Sequence, residues 1–255
     1  MEIDSILEKF SPISLSEISS VSLQDRIDTK FVFIKDKLEE ILIILSGEYN
    51  ILDIDGRSIN KYRSRYFDTE DFQSYLMHHN KRNNRYRVRF REYIGSDLCF
   101  LEIKKKAKGR TIKHRIQKDN MEIELSKNSK EYINEILPSL RSSLKLSVDN
   151  SFSRITLVDK KMNERLTIDF KLQFDGHKNE NNKISFESLV IAELKQSKLN
   201  SQSFFYKTMM SFGIRPTRFS KYSMGLLLLN NDLKQNRFKK QLLKLQRLNI
   251  NVTRN

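Results

Sequence analysis

Residues 85–93 read RYRVRFREY, and arginine occupies every odd position up to Arg91. The even positions Tyr86, Val88 and Phe90 are apolar. Because side chains along a β-strand point alternately to its two faces, this stretch predicts a strand with four arginines on one face. Like charges in one row repel each other unless an anion lies among them. The stretch therefore predicts a sheet whose charged face binds an anion.

The same alternation recurs in five further segments. In each, charged or polar residues two apart share one face, opposite mostly apolar residues: Arg26/Asp28/Lys30, Glu102/Lys104, Lys113/Arg115, Arg165/Thr167/Asp169 and Glu193/Lys195. A half-buried sheet with a solvated charged face explains any single strand of this kind. The set is mostly cationic with isolated carboxylates, which favours a concave sheet or barrel that holds a chain of phosphates. Arginine matches phosphate oxygens with a planar fork of donors, and lysine acts as a point charge.

The composition indicates a soluble, cytoplasmic protein with a polyanionic partner. The 255 residues include 47 Lys and Arg against 32 Asp and Glu, a formal net charge of +15. The single cysteine, Cys99, excludes an intramolecular disulfide framework and a cysteine-based zinc site. The longest apolar runs, Ile41–Leu45 and Met224–Leu229, are far shorter than the roughly 20 residues of a membrane-spanning helix. No P-loop or Rossmann glycine pattern is present.

The periodicity predicts one α+β domain over residues 1–255 with a mainly antiparallel sheet. Its strands are expected at 26–34, 62–67, 84–94, 98–106, 111–118, 152–159, 164–174 and 188–196. Helices are expected at 35–46, 129–137, 201–212 and 221–248. Residues 176–185 are expected to form a polar loop and 249–255 a frayed tail. Eight strands flanked by helices suit either an open sheet or a closed barrel.

Eight segments together resemble a known family. They are RIDTKFVF (26–33), RYFDT (65–69), RVRFREY (87–93), FLEIKKK (100–106), IKHRI (112–116), ERLTIDF (164–170), IAELK (191–195) and RFSKYSMG (218–225). Over about residues 20–225 the chain resembles the polyphosphate polymerase domain of the vacuolar transporter chaperone (VTC) proteins, in its stand-alone bacterial form. That family belongs to the CYTH, or triphosphate tunnel metalloenzyme, superfamily. The resemblance implies an eight-stranded antiparallel barrel tunnel, with a closing helix at about 221–248.

The resemblance also implies an activity and the residues that carry it. The activity is transfer of the γ-phosphoryl group of ATP onto a growing polyphosphate chain, with Mn²⁺ or Mg²⁺ bound by Glu193. The residues matched to catalytic positions are Arg89, Arg91, Lys104 and Lys221. Those matched to phosphate-binding positions are Lys30, Lys113, Arg154, Arg165 and Lys195. Arg87 and Arg115 share faces with these cations and complete the phosphate-binding set.

One motif departs from the wider superfamily pattern. The superfamily opens with Glu-x-Glu-x-Lys, whose glutamates bind metal, whereas this chain has Arg26-Ile27-Asp28-Thr29-Lys30. The first carboxylate is replaced by a cation and the second is shortened, which resembles the polymerase branch more than the triphosphatase or cyclase branches. Glu193 is then the main metal ligand, with Glu102, Asp28 or Asp169 as helpers.

Two other functions remain as alternatives. A tunnel triphosphatase would hydrolyse tripolyphosphate or nucleoside triphosphates, but it needs more acidic metal ligands than the sequence offers. A non-catalytic basic module would bind polyphosphate or nucleic acid. Nucleic-acid readers expose aromatic rings among their basic residues, and the strand aromatics here are expected on the opposite face. The expected partners are therefore ATP and inorganic polyphosphate, without nucleic acid. The chain has no transmembrane segment, so a membrane-protein partner would be a separate chain.

Overall fold

The computed structural model describes residues 3–20, 26–107, 110–140, 142–176, 183–230, 232–248 and 252–254. Twelve strands lie in these residues: β1 Ser11–Ile13, β2 Ile27–Ile34, β3 Tyr49–Leu52, β4 Ile59–Asp68, β5 Arg85–Ile94, β6 Leu98–Ala107, β7 Arg110–Lys118, β8 Lys145–Asp159, β9 Glu164–Asp175, β10 Lys183–Phe186, β11 Leu189–Gln196 and β12 Val252–Arg254. The helices are α1 Ile3–Leu7, α2 Leu15–Ser20, α3 Leu38–Leu45, α4 Gln73–His79, α5 Lys127–Ile136, α6 Phe204–Ser211, α7 Lys221–Leu229 and α8 Lys239–Arg247. Single 3₁₀ turns precede α3 and α8 at Lys35–Lys37 and Asn236–Phe238.

Eight strands form one continuous antiparallel path in the order β2-β11-β9-β8-β4-β5-β6-β7. The α+β class and the eight-stranded antiparallel tunnel expected from the sequence are confirmed. The outer strands β2 and β7 are not paired with each other in the described residues. The free edge of β2 instead forms a single bridge, in which the Thr217 amide donates to the Lys30 carbonyl at 2.8 Å. The wall of the tunnel therefore has one open seam.

Strand β5 shows how the alternating sequence sets the two faces of the sheet. Its even-numbered residues Val88 and Phe90 are fully buried and pack with Leu101, Ile103 and Ile133 under helix α5. Burial of such side chains removes apolar surface from water at about 25 cal/mol per Å². The arginines consequently lie on the opposite face, which we call the inner face.

Helices cover the outside of the path. Helices α1, α3 and α6 pack on β2, β9 and β11 through a cluster that includes Phe31, Phe33 and Ile168. Helix α7 instead lies against the inner side of β8 and β9, where Met224 and Leu226 share an apolar cluster with the inner-face residues Tyr62, Tyr66 and Phe152. The charged residues occupy the part of the inner face that this cluster does not cover.

The expected closing helix at 221–248 is interrupted. Helix α7 ends at Leu229, because Asn230 adopts an extended backbone (φ −134°, ψ 101°) and its side-chain amide donates to the Leu226 carbonyl at 2.9 Å. Asparagine and aspartate compete for backbone hydrogen bonds and favour helix ends over interiors, and Asp232 follows closely. The chain becomes helical again only at the 3₁₀ turn before α8.

Short strands were also missed by the sequence analysis. Strand β10 lies inside the expected loop 176–185, whose residues 177–182 are outside the described chain. Strand β12 lies in the expected frayed tail and pairs with β10. Three- and four-residue strands carry too few residues to show an alternation, so periodicity does not reveal them.

Candidate active site

The sheet register places the predicted cations side by side on the inner face. In antiparallel strands, directly opposed residues share a face. Arg89 opposes Glu102, and Arg87 opposes Lys104. On the other half of the path, Arg154 opposes Asp169, Glu193 opposes Lys30, and Lys195 opposes Asp28. Residues from six strands thus line one continuous surface.

The two ends of the path face each other across a shared interior. Lys104 lies on β6, near one end, whereas Asp28 and Glu193 lie on β2 and β11, at the other end. Burial and the neighbouring Arg87 lower the pKa of Lys104, and the charges of Asp28 and Glu193 act in the opposite direction. These groups influence each other only because the sheet curls until its inner face becomes the lining of a tunnel.

Three carboxylates of the inner face each hold two cations. Glu102 accepts a hydrogen bond from Arg89 Nη2 at 2.5 Å and also pairs with Lys113. Asp169 accepts one from Arg154 Nε at 2.6 Å and also pairs with Lys221. Glu193 accepts one at Oε1 from Lys30 Nζ at 2.8 Å, and its Oε2 lies 3.8 Å from Lys195 Nζ. Paired charges can remain in a partly desolvated space, whereas isolated ones cannot. The carboxylates therefore hold the tunnel cations in place.

The charge states of these carboxylates follow from their partners. Burial raises the pKa of Glu102, but Arg89, Arg91 and Lys113 outweigh it and lower that pKa to about 2. The pKa values of Asp169 and Glu193 are also lowered against the effect of burial, chiefly by Arg154 for Asp169 and by Lys195 and Lys30 for Glu193. All three are ionised at neutral pH. Each one neutralises part of the positive field of the tunnel.

Three arginines of β5 have no carboxylate partner within ion-pair distance among the described residues: Arg85, whose contact with the Arg82 carbonyl is exposed, and Arg87 and Arg91 further along the strand. Arg87 donates to Ser220 Oγ at 3.2 Å, and its guanidinium carbon lies 5.1 Å from the centre of the Tyr222 ring. Arg91 lies 5.8 Å from the Tyr62 ring centre, with a long contact of 3.4 Å to Ser64 Oγ. Burial lowers the pKa of the Arg87 and Arg91 guanidinium groups, which nevertheless stay charged. Both guanidinium groups can therefore pair with an anion that enters the tunnel.

Aromatic rings lie under the cations, contrary to the expectation that the strand aromatics occupy the other face. The expectation is correct for Phe90 on β5 but wrong for aromatic residues of β4, β6 and β8. Arg89 lies 5.8 Å from the Tyr66 ring centre, and Lys221 Nζ lies 4.3 Å from that of Phe152. Arg115 lies 5.0 Å from the Phe100 ring centre. Such cation–ring contacts stabilise a charge without neutralising it.

These rings do not form a stacking platform for nucleic-acid bases. Tyr66 is 2% exposed and Phe152 is 3% exposed, so neither offers a free face. Single-strand readers need accessible aromatic faces between their basic residues. The rings are better understood as supports for the arginines and lysines above them.

The predicted site residues divide between the interior and the rim. Arg87, Arg89, Arg91, Arg154 and Lys221 are partly or largely enclosed. Lys195 is buried, and burial lowers its pKa to about 7 although Glu193 acts in the opposite direction. Lys30, Arg165 and Glu193 are half-buried. Lys104, Lys113 and Arg115 lie at the rim and are exposed to solvent, although the surrounding tunnel wall still desolvates Lys104 enough to lower its pKa. Lys113 and Arg115 lie on the edge strand β7.

Sequence reasoning missed several inner residues: Tyr62, Tyr66, Asp68, Phe152 and Tyr222. Asp68 and Tyr222 are inside the quoted segments RYFDT and RFSKYSMG, next to residues that were selected. Four of the five are aromatic, so the alternation of charged residues that was used to select the site did not identify them. Only the register of β4 with β5, and the placement of α7, shows that they meet the arginines.

The donor set fits a divalent cation that is bound mainly by phosphate oxygens. No group of three His, Cys, Asp or Glu side chains gathers at one point within the described ranges. Mg²⁺ on a polyphosphate needs only one or two protein carboxylates. Glu193 suits this role best, because its Oε2 has only the 3.8 Å contact with Lys195, whereas Asp169 is hydrogen-bonded through both oxygens.

The family model described as the VTC domain matches residues 25–230 of the chain. The chain belongs to the VTC domain family. The resemblance stated from the sequence is therefore confirmed. No curated protein sequence matches this VTC domain chain significantly. No helix in the described part of the VTC domain chain is long and apolar enough to cross a membrane.

Solved structures with a similar backbone include three proteins of low identity. A candidate adenylate cyclase from Bacillus halodurans is 15% identical, with a TM-score of 0.47, and the match covers 77% of this chain and 95% of that one. PH1819 from Pyrococcus horikoshii is 15% identical, with a TM-score of 0.45 and coverages of 85% and 99%. HpAC1 from Hippeastrum, a candidate adenylyl cyclase with a dominant triphosphatase activity, is 11% identical, with a TM-score of 0.46 and coverages of 82% and 97%.

Proposed function

We propose that this VTC domain chain is a polyphosphate polymerase that transfers the γ-phosphoryl group of ATP onto a growing polyphosphate chain. Family membership supports an enzyme that handles a triphosphate inside a tunnel. The observation that carries the proposal is the pair of enclosed guanidinium groups, Arg87 and Arg91, that have no carboxylate partner in the described chain. A buried cation without an anion is costly, so this arrangement favours a ligand that supplies the anion.

The spacing of these arginines supports an extended polyanion. Arg87 and Arg91 are four residues apart on one face of β5, which corresponds to about 13 Å at the usual rise of a strand. Arg89 lies between them, with its own partner Glu102. A single phosphate cannot reach both arginines, whereas a chain of several phosphates can. The proposed phosphate contacts continue along the tunnel at Lys30, Lys113, Arg115, Arg154, Arg165 and Lys195.

The proposed reaction asks the protein for positioning and charge stabilisation. A terminal oxygen of the acceptor chain attacks the γ-phosphorus of ATP, and the bond between that phosphorus and the β–γ bridging oxygen breaks. ADP leaves with the electron pair, and the polymer grows by one phosphate. Arg89, Arg91, Lys104 and Lys221 stabilise the charge that develops on the transferred group and on ADP.

No general base is needed in this scheme, because the attacking phosphate oxygen is already anionic at neutral pH. The environment of His78 agrees with this. Burial, together with Arg87, Arg85 and Lys104, lowers the pKa of His78 to about 3, so that its ring stays neutral. We assign it no proton-transfer role.

Glu193 would hold a divalent cation, Mn²⁺ or Mg²⁺, against the phosphate oxygens. The bound cation would neutralise part of the triphosphate charge. Lys30 and Lys195 approach the same carboxylate and would orient it. We place the reaction in the cytoplasm, where ATP is available.

The deciding experiment incubates the purified protein with ATP and Mn²⁺ and measures ADP and acid-labile chains together. Formation of long chains in step with ADP supports the polymerase. Release of free phosphate without chains would favour the tunnel triphosphatase. Metal-independent, strongly salt-sensitive binding without turnover would favour a non-catalytic basic module. A parallel reaction with EDTA and one with Mg²⁺ test the metal requirement.

A further inference from the structure

The first turn of helix α7 reaches into the tunnel. Ser220 caps this helix, and its Oγ accepts the Ser223 amide at 3.3 Å and an N–H of Arg87 at 3.2 Å. Lys221 pairs with Asp169. Tyr222 lies with its ring under Arg87. Of these three consecutive residues, Ser220 and Tyr222 contact the Arg87 guanidinium of β5, and Lys221 contacts the Asp169 carboxylate of β9.

Tyr222 is anchored from behind by a buried carboxylate. Its hydroxyl donates to Asp68 Oδ2, which also accepts the Tyr75 amide at 3.0 Å. The other oxygen, Oδ1, accepts the amides of Thr69 and Ser74, both at 2.8 Å. Asp68 is 1% exposed. One carboxylate therefore joins the end of β4, the start of α4 and the first turn of α7.

The chemistry of Asp68 points to a holding role. No cation lies within ion-pair distance of it in the described residues, and four neutral donors satisfy its oxygens. Burial raises the pKa of Asp68 while these donors lower it, and burial raises the pKa of Tyr222, so the phenol keeps its proton. A buried carboxylate costs stability unless it is fully hydrogen-bonded, as it is here.

We propose that Asp68 and Tyr222 are positioning residues that fix Arg87 and Lys221 in the geometry that binds phosphate. The hydrogen bond from the Tyr222 hydroxyl to Asp68 fixes the position of the first turn of α7. The Tyr222 ring packs against the Arg87 guanidinium and holds it in place. The ring also lies 5.0 Å from that of Tyr66, which supports Arg89. Both residues are proposed to act through Arg87 and Lys221 and not through direct contact with the substrate. The inference rests on the proposed function, because it concerns the same tunnel.

The test compares Tyr222→Phe with Tyr75→Phe. Both variants lose one hydroxyl from a buried tyrosine, but the Tyr75 hydroxyl donates to the Lys234 carbonyl, and its ring packs on Phe238, away from the arginines. Thermal unfolding, tripolyphosphate binding by calorimetry and steady-state turnover with ATP are measured for each. We expect Tyr222→Phe to lose about 10-fold or more in kcat/KM, because small misplacements of binding groups are costly. Tyr75→Phe should keep the wild-type kcat/KM at a similar or larger loss of Tm.

Equal kcat/KM for wild type and Tyr222→Phe would overturn the inference. Should Tyr222→Phe fail to fold, Asp68→Asn provides the second measurement, and it is expected to weaken tripolyphosphate binding as well. Wild-type affinity in folded Asp68→Asn would likewise overturn the inference. Arg91→Ala, which does not contact Tyr222, separates the two proposals. If Arg91→Ala binds tripolyphosphate normally, the tunnel function fails; if it does not bind while Tyr222→Phe is unaffected, only the positioning role fails.

Discussion

Lys30 Nζ donates to Glu193 Oε1 at 2.8 Å, and the two residues oppose each other directly in the β2–β11 ladder. They are 163 positions apart in the sequence. The contact joins the first long strand to the last one and places the best candidate metal ligand beside a candidate phosphate-binding cation. The same carboxylate is approached by Lys195 from its own strand.

Glu193→Gln should abolish metal-dependent turnover while the fold is kept. The amide keeps the shape of the side chain and an oxygen that can accept from Lys30, but it loses the charge that a divalent cation requires. The measurement is chain formation from ATP across a Mn²⁺ titration, with circular dichroism as the check on folding. Glu187→Gln, an exposed residue just before β11, is the matched control. Wild-type polymer yield from Glu193→Gln would remove this residue from the metal site.

Arg91→Ala should lower kcat/KM by about 10²-fold or more, as is typical when one preorganised charge stabiliser is removed. The control is Arg63→Ala on the same half of the sheet. Arg63 lies on the outer face, is 45% exposed and pairs with Asp149. We expect its removal to leave the steady-state rate unchanged. If the two variants behave alike, the inner face has no special role.

The Glu102 carboxylate should make the fold sensitive to acid. Its pKa is lowered from 4.5 to about 2 in the folded protein, so the stabilisation is present above about pH 4.5 and is lost as the pH falls toward 2. A shift of this size corresponds to about 3 kcal/mol. Urea unfolding at pH 5 and pH 3 measures the loss. Glu102→Gln should be less stable at pH 5 and should lose less on acidification.

The exposed Glu124 serves as the control for the acid experiment. Glu124→Gln should lose as much stability between pH 5 and pH 3 as the wild type does. The idea is refuted if Glu102→Gln and Glu124→Gln show the same pH dependence.

Gly225→Ala should destabilise the protein by about 1–3 kcal/mol through overpacking. Gly225 lies in α7 against Phe174, and a Cβ atom at this position would lie 2.6 Å from the Phe174 Cε1 atom. Gly47→Ala is the control, since nothing lies within 4 Å of a Cβ atom there. Thermal unfolding should show a lower Tm for Gly225→Ala alone. Equal Tm values would mean that α7 does not pack tightly on β9.

The alternating sequence was sufficient to predict the long strands that carry the charged residues, and which face those charged residues occupy. In β5, a period of two separates Arg89 from Phe90 without any knowledge of neighbouring strands, because the pleat alone sets which way each side chain points. The long strands β6, β7, β9 and β11 follow the same rule.

Partners across strands could not be predicted in this way. That Arg89 meets both Glu102 and Tyr66 depends on the register, which is set by turns and packing far from either residue. The aromatic supports and the anchoring of Tyr222 by Asp68 were missed for this reason. The break after Leu229 was missed because apolar residues continue at helical spacing through Leu233 and Leu242.

The open seam beside β2 affects how easily the tunnel can widen. Moving β2 and β7 apart breaks no backbone hydrogen bonds between these two strands in the described chain, because they are not paired. A fully closed barrel would have to break several backbone hydrogen bonds between neighbouring strands to widen by the same amount. If the proposed function is correct, we expect the tunnel to admit a polyphosphate chain both with and without bound hydrated cations.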